Sequence, residues 1–138
     1  MNEKIIARAE EIIASTRYCT LSLIDADGYP TTAAISPSKV EGVKWIAFGN
    51  SVESNWVKRA ENCNRAGICF SSDSPECNIT LVGTIEVLKT DIALKKEMWS
   101  DWMNEYYSGV EDPRYCVLKF TTKRYSLFID GTQVRGIL

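Results

Sequence analysis

A short β-hairpin near the N-terminus constrains the fold more than any other feature of this sequence. Leu21 and Leu23 alternate with hydroxyl residues, which predicts a strand with one buried face over residues 18–25. Asp25-Ala26-Asp27-Gly28 is typical of a turn, and the chain returns as a strand over residues 29–36. We interpret the two aspartates as turn residues rather than as a catalytic pair. Strands joined by so short a turn pair antiparallel.

The other periodicities predict a mainly β chain with three helices. Apolar residues repeat at helical spacing over residues 3–15. Further strands are predicted at 43–50, 66–71, 78–88, 115–121 and 125–130, and further helices at 54–62 and from Thr90 or Asp91 to Tyr107. Gly83, in the middle of a long strand, predicts a bulge or a barrel corner. Antiparallel links and this glycine favour a small barrel over a doubly wound parallel sheet.

Length and charge restrict the class of protein. With 138 residues, the chain is expected to form one domain over residues 1–138. The formal net charge of −2 gives no support to a nucleic-acid or anionic-membrane partner, because such binders usually carry a basic excess. No apolar run approaches the ~18–20 residues of a membrane span, and no signal core is visible at the N-terminus. We therefore expect a cytoplasmic protein.

The residue inventory excludes several catalytic and metal sites. The chain has no histidine, which removes Ser–His and Cys–His pairs, histidine-ligated haem and mixed zinc sites. Its five cysteines form no CxxC pair, and the odd number argues against a closed disulfide framework. Cys19, Cys69 and Cys116 are predicted to be core residues, and Cys77 is predicted to be an exposed thiol. We predict no catalytic residue and no metal site, so any reaction would depend on a cofactor.

The segment from residue 98 to residue 107 is unusually rich in large side chains. At helical spacing these side chains share one broad face, which comprises Met98, Trp99, Trp102, Met103, Tyr106 and Tyr107. The face has three alternative interpretations. It packs on the barrel, it forms part of a dimer interface, or it supplies one wall of a ring-binding cleft, because Trp and Tyr suit sites that are apolar with a polar edge.

A second candidate site lies between a strand and a helix. Residues 49–55, where the strand ends and the helix begins, include the hydroxyl and amide residues Asn50, Ser51, Ser54 and Asn55. The first N–H groups of a helix have no partner within the helix, so such an entrance favours an anion such as phosphate. The pattern is neither a P-loop nor a nucleophile elbow, because the second glycine and the lysine are missing.

The order of these motifs resembles a known family. The motifs are Asp27-Gly28-Tyr29-Pro30, Trp45-Ile46-Ala47-Phe48, Ser51 with Ser54, Arg65-Ala66-Gly67-Ile68-Cys69-Phe70, Trp99 with Trp102, and Asp112-Pro113. Together they resemble the pyridoxamine 5'-phosphate oxidase-like, FMN-binding split-barrel proteins, in particular the bacterial general stress protein branch, over about residues 3–130. The resemblance implies a six-stranded antiparallel Greek-key barrel and a homodimer with two FMN sites at the subunit interface.

The resemblance also implies where the cofactor binds. It places the flavin ring near Ala33, Ala34, Ile35, Phe48, Gly49 and Asn50, and the phosphate near Ser51, Ser54, Asn55 and Trp56. Asn55-Trp56 stands where the family commonly has a basic pair, and Ala33-Ala34 stands where a basic residue is often found. Lys58, one turn further into the helix, is a candidate replacement together with Arg59.

The resemblance implies an FMN-dependent oxidoreductase with a stress-related role. Such a protein transfers electrons from a reduced nicotinamide nucleotide to an acceptor. The histidine-containing C-terminal signature of true pyridoxamine phosphate oxidases is absent, which argues against vitamin B6 oxidation. Two alternatives stay open at this stage. One is a non-catalytic flavin binder, and the other is a split barrel that has lost FMN and binds another anionic ligand or a protein.

Overall fold

The computed structural model describes residues 2–138 as three α-helices, one 3₁₀ helix and eight strands. The helices are α1 (Glu3–Ser15), α2 (Asn55–Asn62) and α3 (Ile92–Met98), and the 3₁₀ helix is Asp101–Glu105. The strands are β1 (Cys19–Ile24), β2 (Pro30–Ile35), β3 (Lys39–Glu41), β4 (Trp45–Ser51), β5 (Arg65–Asp73), β6 (Glu76–Leu88), β7 (Tyr115–Ile129) and β8 (Thr132–Ile137).

All eight strands belong to one antiparallel sheet in the order β2-β1-β5-β6-β7-β4-β3, with β8 also paired to β7. The long β7 organises this arrangement. Its first half pairs with β4, its second half pairs with β8, and β6 runs along most of its other edge. The mainly β class and the antiparallel links predicted from the sequence are therefore confirmed.

The predicted hairpin and the predicted first helix are also confirmed. Leu21 and Leu23 are fully buried in the core, where each side chain contributes roughly 1.5–3 kcal/mol relative to exposure. Asp25 makes the turn, because its carboxylate accepts hydrogen bonds from the N–H groups of Asp27 and Tyr29, both at 3.0 Å. These bonds favour the charged form and lower the pKa of Asp25.

Gly83 marks the predicted bulge. The register between β6 and β7 shifts between Val82 and Gly83. A Cβ atom at Gly83 would overlap the backbone carbonyl oxygen of Thr121, so only glycine allows the two strands to approach this closely. The prediction of an irregularity at this glycine is confirmed.

The predicted number of strands is wrong. The strands predicted at 115–121 and 125–130 form the single strand β7, which continues through the polar residues Thr122, Lys123 and Arg124. Thr122 is buried, and its hydroxyl donates a hydrogen bond to the carbonyl of Val43. The strands β3 and β8 were not predicted, since β3 has only three residues and β8 is mostly exposed.

The single helix predicted over residues 91–107 is also wrong. Asp91 does cap a helix, with its carboxylate accepting a hydrogen bond from the N–H of Leu94 at 3.1 Å. The chain becomes extended at Trp99, and a 3₁₀ helix follows. Met98 and Met103, which are five residues apart, are both buried. A continuous helix would separate these side chains by about 140° around its axis, so the break brings both onto the sheet.

Two of the cysteine predictions are wrong. Cys77 is buried, because β6 begins at Glu76 and its pairing places Cys77 among the core residues. Cys69 is only half-buried, and its thiol donates to the side-chain carbonyl of Asn78 at 3.1 Å. Cys19 and Cys116 are core residues as predicted. None of the helices within residues 2–138 is long and apolar enough to cross a membrane.

Candidate ligand-binding cleft

A cleft of about 380 Å³ lies where the C-terminal end of β4, the start of α2 and the segment after α3 meet. We call it the aromatic cleft. Its lining consists of Ile35, Ser36, Ser38, Gly49, Asn50, Ser51, Trp56, Trp102, Tyr106 and Tyr107. The volume falls in the range of small-molecule sites, which is about 300–1,000 Å³.

Gly49 allows the two sides of the aromatic cleft to come together. A Cβ atom at Gly49 would lie 3.0 Å from the methyl group of Met103 and 3.3 Å from the ring of Tyr115. An added Cβ would therefore require the Met103 methyl group and the Tyr115 ring to shift by a few tenths of an ångström. The N–H of Gly49 also donates to the hydroxyl of Ser38 at 3.2 Å, which holds the residues after β2 against β4.

The wall opposite β4 is a series of neighbouring rings. Trp102 and Tyr106 meet edge to face at 6.0 Å, and Tyr107 stands 5.1 Å from Tyr115 between ring centroids. Trp102 is 51% exposed and Tyr106 is 61% exposed, whereas Tyr115 is fully buried behind them. Burial raises the pKa of Tyr107, and it raises the pKa of Tyr115 to about 12. Both phenols are therefore neutral at physiological pH.

The hydroxyl and amide side chains at the α2 entrance mostly bind their own backbone. Ser54 caps α2 by accepting a hydrogen bond from the N–H of Val57 at 3.2 Å. Ser51 accepts from the N–H of Glu53 at 3.3 Å, and Asn50 accepts from the N–H of Ser51 at 2.9 Å. Within residues 2–138, the N–H groups of Asn55 and Trp56 have no partner, so they remain available to a ligand.

The aromatic cleft is uncharged at its surface. None of the lining residues in the described part of the chain is acidic or basic. Lys58 and Glu53 flank the α2 entrance and are exposed to solvent. The electrostatic attraction available to an anion therefore comes chiefly from the positive end of the α2 dipole and from exposed side chains.

A tightly bonded loop supports the entrance from behind. The carboxylate of Asp112 accepts hydrogen bonds from the N–H of Ser108 at 2.8 Å and from the guanidinium Nη2 of Arg114 at 2.6 Å. These bonds hold the pKa of Asp112 well below its usual range. The carbonyl of Arg114 in turn accepts a hydrogen bond from the N–H of Val52 at 2.9 Å, which fixes the turn that precedes α2.

The aromatic cleft brings together part of the predicted site. Its lining includes the predicted residues Ile35, Gly49, Asn50, Ser51 and Trp56. The other predicted residues lie outside the lining: Ala33 and Ala34 are exposed on β2, Phe48 is fully buried in the core, Ser54 caps α2, and Asn55 and Lys58 are exposed on α2.

Sequence reasoning missed the two serines in the lining of the aromatic cleft. Ser36 and Ser38 flank Pro37 directly after β2, and this turn-like pattern was the only signal for them. The interpretation of Trp102, Tyr106 and Tyr107 as one wall of a cleft agrees with the geometry, although the helix that was expected to present them is broken.

Within residues 2–138, the side chains that line the aromatic cleft include no carboxylate, amine, guanidinium or thiol group. Residues 2–138 hold no group of three or more side chains suited to a metal ion. The thiol of Cys116, which follows Tyr115 on β7, is buried. Burial raises the pKa of this thiol to about 11, so it is a poor nucleophile. The arrangement is suited to holding a flat ring with a polar tail at the α2 entrance.

The open antiparallel sheet with the aromatic cleft beside its fourth strand defines the fold class, and comparison with known proteins defines the family. The sequence profile of the family described as pyridoxamine 5'-phosphate oxidase like matches residues 4–127. The chain therefore belongs to the pyridoxamine 5'-phosphate oxidase-like family, which confirms the resemblance seen in the sequence. No curated protein matches the chain significantly.

Solved structures with the same fold include proteins that bind different ligands. A Clostridium acetobutylicum protein related to general stress protein 26 is 27% identical, with a TM-score of 0.83 and coverage of 100% of this chain and 97% of that chain. A pyridoxamine 5'-phosphate oxidase-related, FMN binding protein from Nostoc punctiforme is 17% identical, with a TM-score of 0.74 and coverage of 97% and 88%. A heme binding protein from Mycobacterium smegmatis is 18% identical, with a TM-score of 0.72 and coverage of 94% and 57%.

Proposed function

We propose that this protein is a flavoprotein that binds FMN with its ring in the aromatic cleft. The observation that carries the proposal is the meeting of aromatic side chains, neutral hydroxyls and free helix N–H groups in one cleft of about 380 Å³. The FMN-binding neighbour with the same fold supports this choice of ligand.

The ring end of a flavin fits the chemistry of the lining. Trp102, Tyr106 and Tyr107 supply aromatic surface, and aromatic pairs in offset or edge contact contribute about 0.5–1.5 kcal/mol beyond burial. The hydroxyl of Ser38, already bonded by the N–H of Gly49, keeps its own hydrogen for an acceptor on the ring edge. Residues that line the cleft are neutral, which suits an uncharged ring.

The phosphate end of FMN would have fewer contacts in the cleft than the ring end. The free N–H groups of Asn55 and Trp56 favour an anion at the start of α2, where the helix dipole is positive. No cation lines the cleft within residues 2–138, and Lys58 lies one turn further along the helix. Each missing charge-assisted contact costs ~1.5–3 kcal/mol, so we expect weaker FMN binding than a basic pair would give.

A bound flavin would supply hydride or electron transfer between a reduced nicotinamide nucleotide and an acceptor. The protein's own part is to orient the ring against the aromatic wall and to shield one face of it from water. Tyr107 and Tyr115, whose pKa values are raised by burial, stay protonated and act only as neutral groups. We therefore propose an FMN-dependent oxidoreductase, with a non-catalytic flavin binder as the alternative.

The assembly we propose is a homodimer. Trp102 and Tyr106 are large and more than half exposed at the rim of the aromatic cleft. Such residues are enriched at protein interfaces, and a stable interface of this kind buries more than ~1,000 Å². Sedimentation at micromolar concentration is expected to give a dimer, and a monomer would overturn this part of the proposal.

Flavin titration tests the proposed cofactor. The purified protein is expected to quench the fluorescence of added FMN, and Trp102→Ala is expected to weaken the binding about tenfold, a loss of ~1.4 kcal/mol. Tyr18→Ala is the control, because Tyr18 is a 54% exposed aromatic residue outside the cleft. Equal weakening of FMN binding by the two variants would contradict FMN binding in the aromatic cleft. If added haem gives the absorption spectrum of bound haem while FMN does not bind, the proposal of FMN as the cofactor is contradicted.

Turnover separates the two functional alternatives. Once FMN is bound, oxidation of a reduced nicotinamide nucleotide with an artificial electron acceptor would support the oxidoreductase. Tight binding without any turnover would support the non-catalytic flavin binder.

A further inference from the structure

A second and larger hollow lies on the outer face of the sheet. We call it the basic cleft. Its volume is about 680 Å³, and its lining consists of Ser22, Ile24, Arg65, Ala66, Gly67, Val82, Gly83, Thr84, Lys123 and Arg124. It shares no lining residue with the aromatic cleft, so a ligand of the basic cleft would be distinct from the proposed flavin.

Four neighbouring strands build the floor of the basic cleft. Ser22 of β1 pairs with Gly67 of β5, Gly67 pairs with Val82 of β6, and Val82 pairs with Arg124 of β7. These residues form one row across the sheet and share its outer face. Gly67 has no side chain, so no side chain stands between Ser22 and Val82 in this row.

The bulge at Gly83 concentrates positive charge at one wall. Val82 pairs with Arg124 and Gly83 pairs with Thr122, so Lys123 is the extra residue of β7. In a regular strand, consecutive side chains point to opposite faces. Here both Lys123 and Arg124 line the same cleft, because the extra residue interrupts that alternation.

Arg65 adds a third cation from the opposite side of the hollow. It is the first residue of β5 and pairs with Thr84 of β6. Among residues 2–138, no carboxylate lies within 4.0 Å of the charged groups of Arg65, Lys123 or Arg124. Three cations without an ion pair in a chain of net charge −2 give the basic cleft a local potential opposite in sign to that of the whole protein.

Neutral donors and apolar surface complete the lining. The hydroxyl of Thr84 makes no hydrogen bond within the described chain, and the hydroxyl of Ser22 accepts from Thr32 at 3.2 Å, which leaves its own hydrogen free. Ile24, Ala66 and Val82 supply apolar surface beside these groups. Guanidinium and ammonium groups with hydroxyl donors suit phosphate oxygens, and the apolar part suits an organic body.

We propose that the basic cleft binds a small molecule that carries a phosphate or pyrophosphate group. Arg65, Lys123 and Arg124 hold the phosphate oxygens, and the apolar side of the cleft contacts the organic part. The site exists because the glycine-dependent bulge turns two consecutive basic residues toward the same hollow. It does not depend on flavin binding in the aromatic cleft.

Calorimetric titration with ADP and with adenosine tests the proposal, since the two probes differ only in the pyrophosphate. ADP is expected to bind and adenosine is not. Lys123→Gln and Arg124→Gln are each expected to weaken ADP binding about tenfold, because each removes one charge-assisted contact. Lys96→Gln is the control, because Lys96 is an exposed lysine on α3 outside the basic cleft. FMN titration of the aromatic cleft is expected to be unchanged in all three variants.

Three results would overturn the proposal. They are the absence of ADP binding at millimolar concentration, equal binding of ADP and adenosine, and equal effects of the control and the cleft variants. The substituted side chains are exposed, so the variants are expected to keep the unfolding temperature of the parent, which excludes misfolding as a cause of lost binding. Higher salt is expected to weaken ADP binding, because the Debye length falls from about 8 Å at 0.15 M to about 3 Å at 1 M.

Discussion

Asn55→Arg is expected to strengthen FMN binding about 5-fold to 30-fold without changing riboflavin binding. Asn55 is the first residue of α2, and its N–H is one of the two free donors at the entrance. A guanidinium group there would gain a charge-assisted bond to phosphate worth ~1.5–3 kcal/mol. Immobilising this long, exposed side chain on binding costs about 0.5–1.5 kcal/mol. The difference of about 1–2 kcal/mol corresponds to the stated factor, at 1.4 kcal/mol per tenfold.

Asn55 is a cleaner position for this test than its neighbour. Its side chain is exposed and makes no hydrogen bond within residues 2–138, so the substitution removes no hydrogen bond. Trp56 is half-buried, lines the aromatic cleft and packs against the core. Trp56→Lys would therefore mix a gain of charge with a loss of apolar burial, and its effect on FMN would have no simple sign.

Asn62→Arg is the control, because Asn62 is an exposed asparagine at the other end of the same helix. Its side-chain amide donates a hydrogen bond to the carbonyl of Asp25 at 3.5 Å, so the unfolding temperature of this variant is measured as well. The two positions are seven residues apart, or about 10 Å along the axis. This distance exceeds the Debye length of about 8 Å at physiological salt, so the control is expected to change FMN binding little. Flavin fluorescence is titrated for both variants with FMN and riboflavin. Equal strengthening of both flavins by Asn55→Arg would refute a phosphate at the α2 entrance.

Three further predictions concern stability and the thiols. Gly83→Ala is expected to lower the free energy of unfolding in urea by at least ~2 kcal/mol, because its Cβ would overlap the Thr121 carbonyl, and an unchanged midpoint would contradict this. Asp112→Asn is expected to lower the unfolding temperature at pH 7. The pKa of Asp112 is lower in the folded protein than in the unfolded chain. Its charged carboxylate therefore stabilises the fold at pH values above the unfolded pKa of about 3.9, and this stabilisation is lost as the pH falls below that pKa. The difference in unfolding temperature between the parent protein and Asp112→Asn should therefore become smaller in acid. Cys77→Ala is expected to keep full flavin binding in fluorescence titration, since Cys77 is buried outside the aromatic cleft, and loss of binding in the folded variant would contradict us.

Local patterns predicted the parts of the fold that depend on local chemistry. The alternation of Leu21 and Leu23 with polar residues and the turn at Asp25 both act within a few residues, and the structure confirms both. Gly83 was also informative, because a glycine inside a strand usually marks a close approach of another backbone. These signals needed no knowledge of distant contacts.

Distant contacts decided the parts that the sequence missed. The spacing of the large residues from Met98 to Tyr107 is helical, yet the chain breaks at Trp99 so that Met98 and Met103 both reach the sheet. The two strands predicted at 115–121 and 125–130 leave Thr122-Lys123-Arg124 between them, but β7 runs through these residues and the hydroxyl of Thr122 is satisfied by the carbonyl of Val43. In both cases tertiary packing overrode the local preference.

Strand alternation explains why the predicted ring site and the aromatic cleft overlap only in part. The resemblance named Phe48, Gly49 and Asn50 as one continuous set, but successive side chains of a strand point to opposite faces. Phe48 is fully buried in the core, whereas Gly49 faces the rings of the outer wall. A ligand in the aromatic cleft therefore meets β4 only at its last three residues, Gly49, Asn50 and Ser51, where the strand approaches the α2 entrance. The alternation was readable in the sequence, but the face covered by the aromatic segment was set by the break at Trp99.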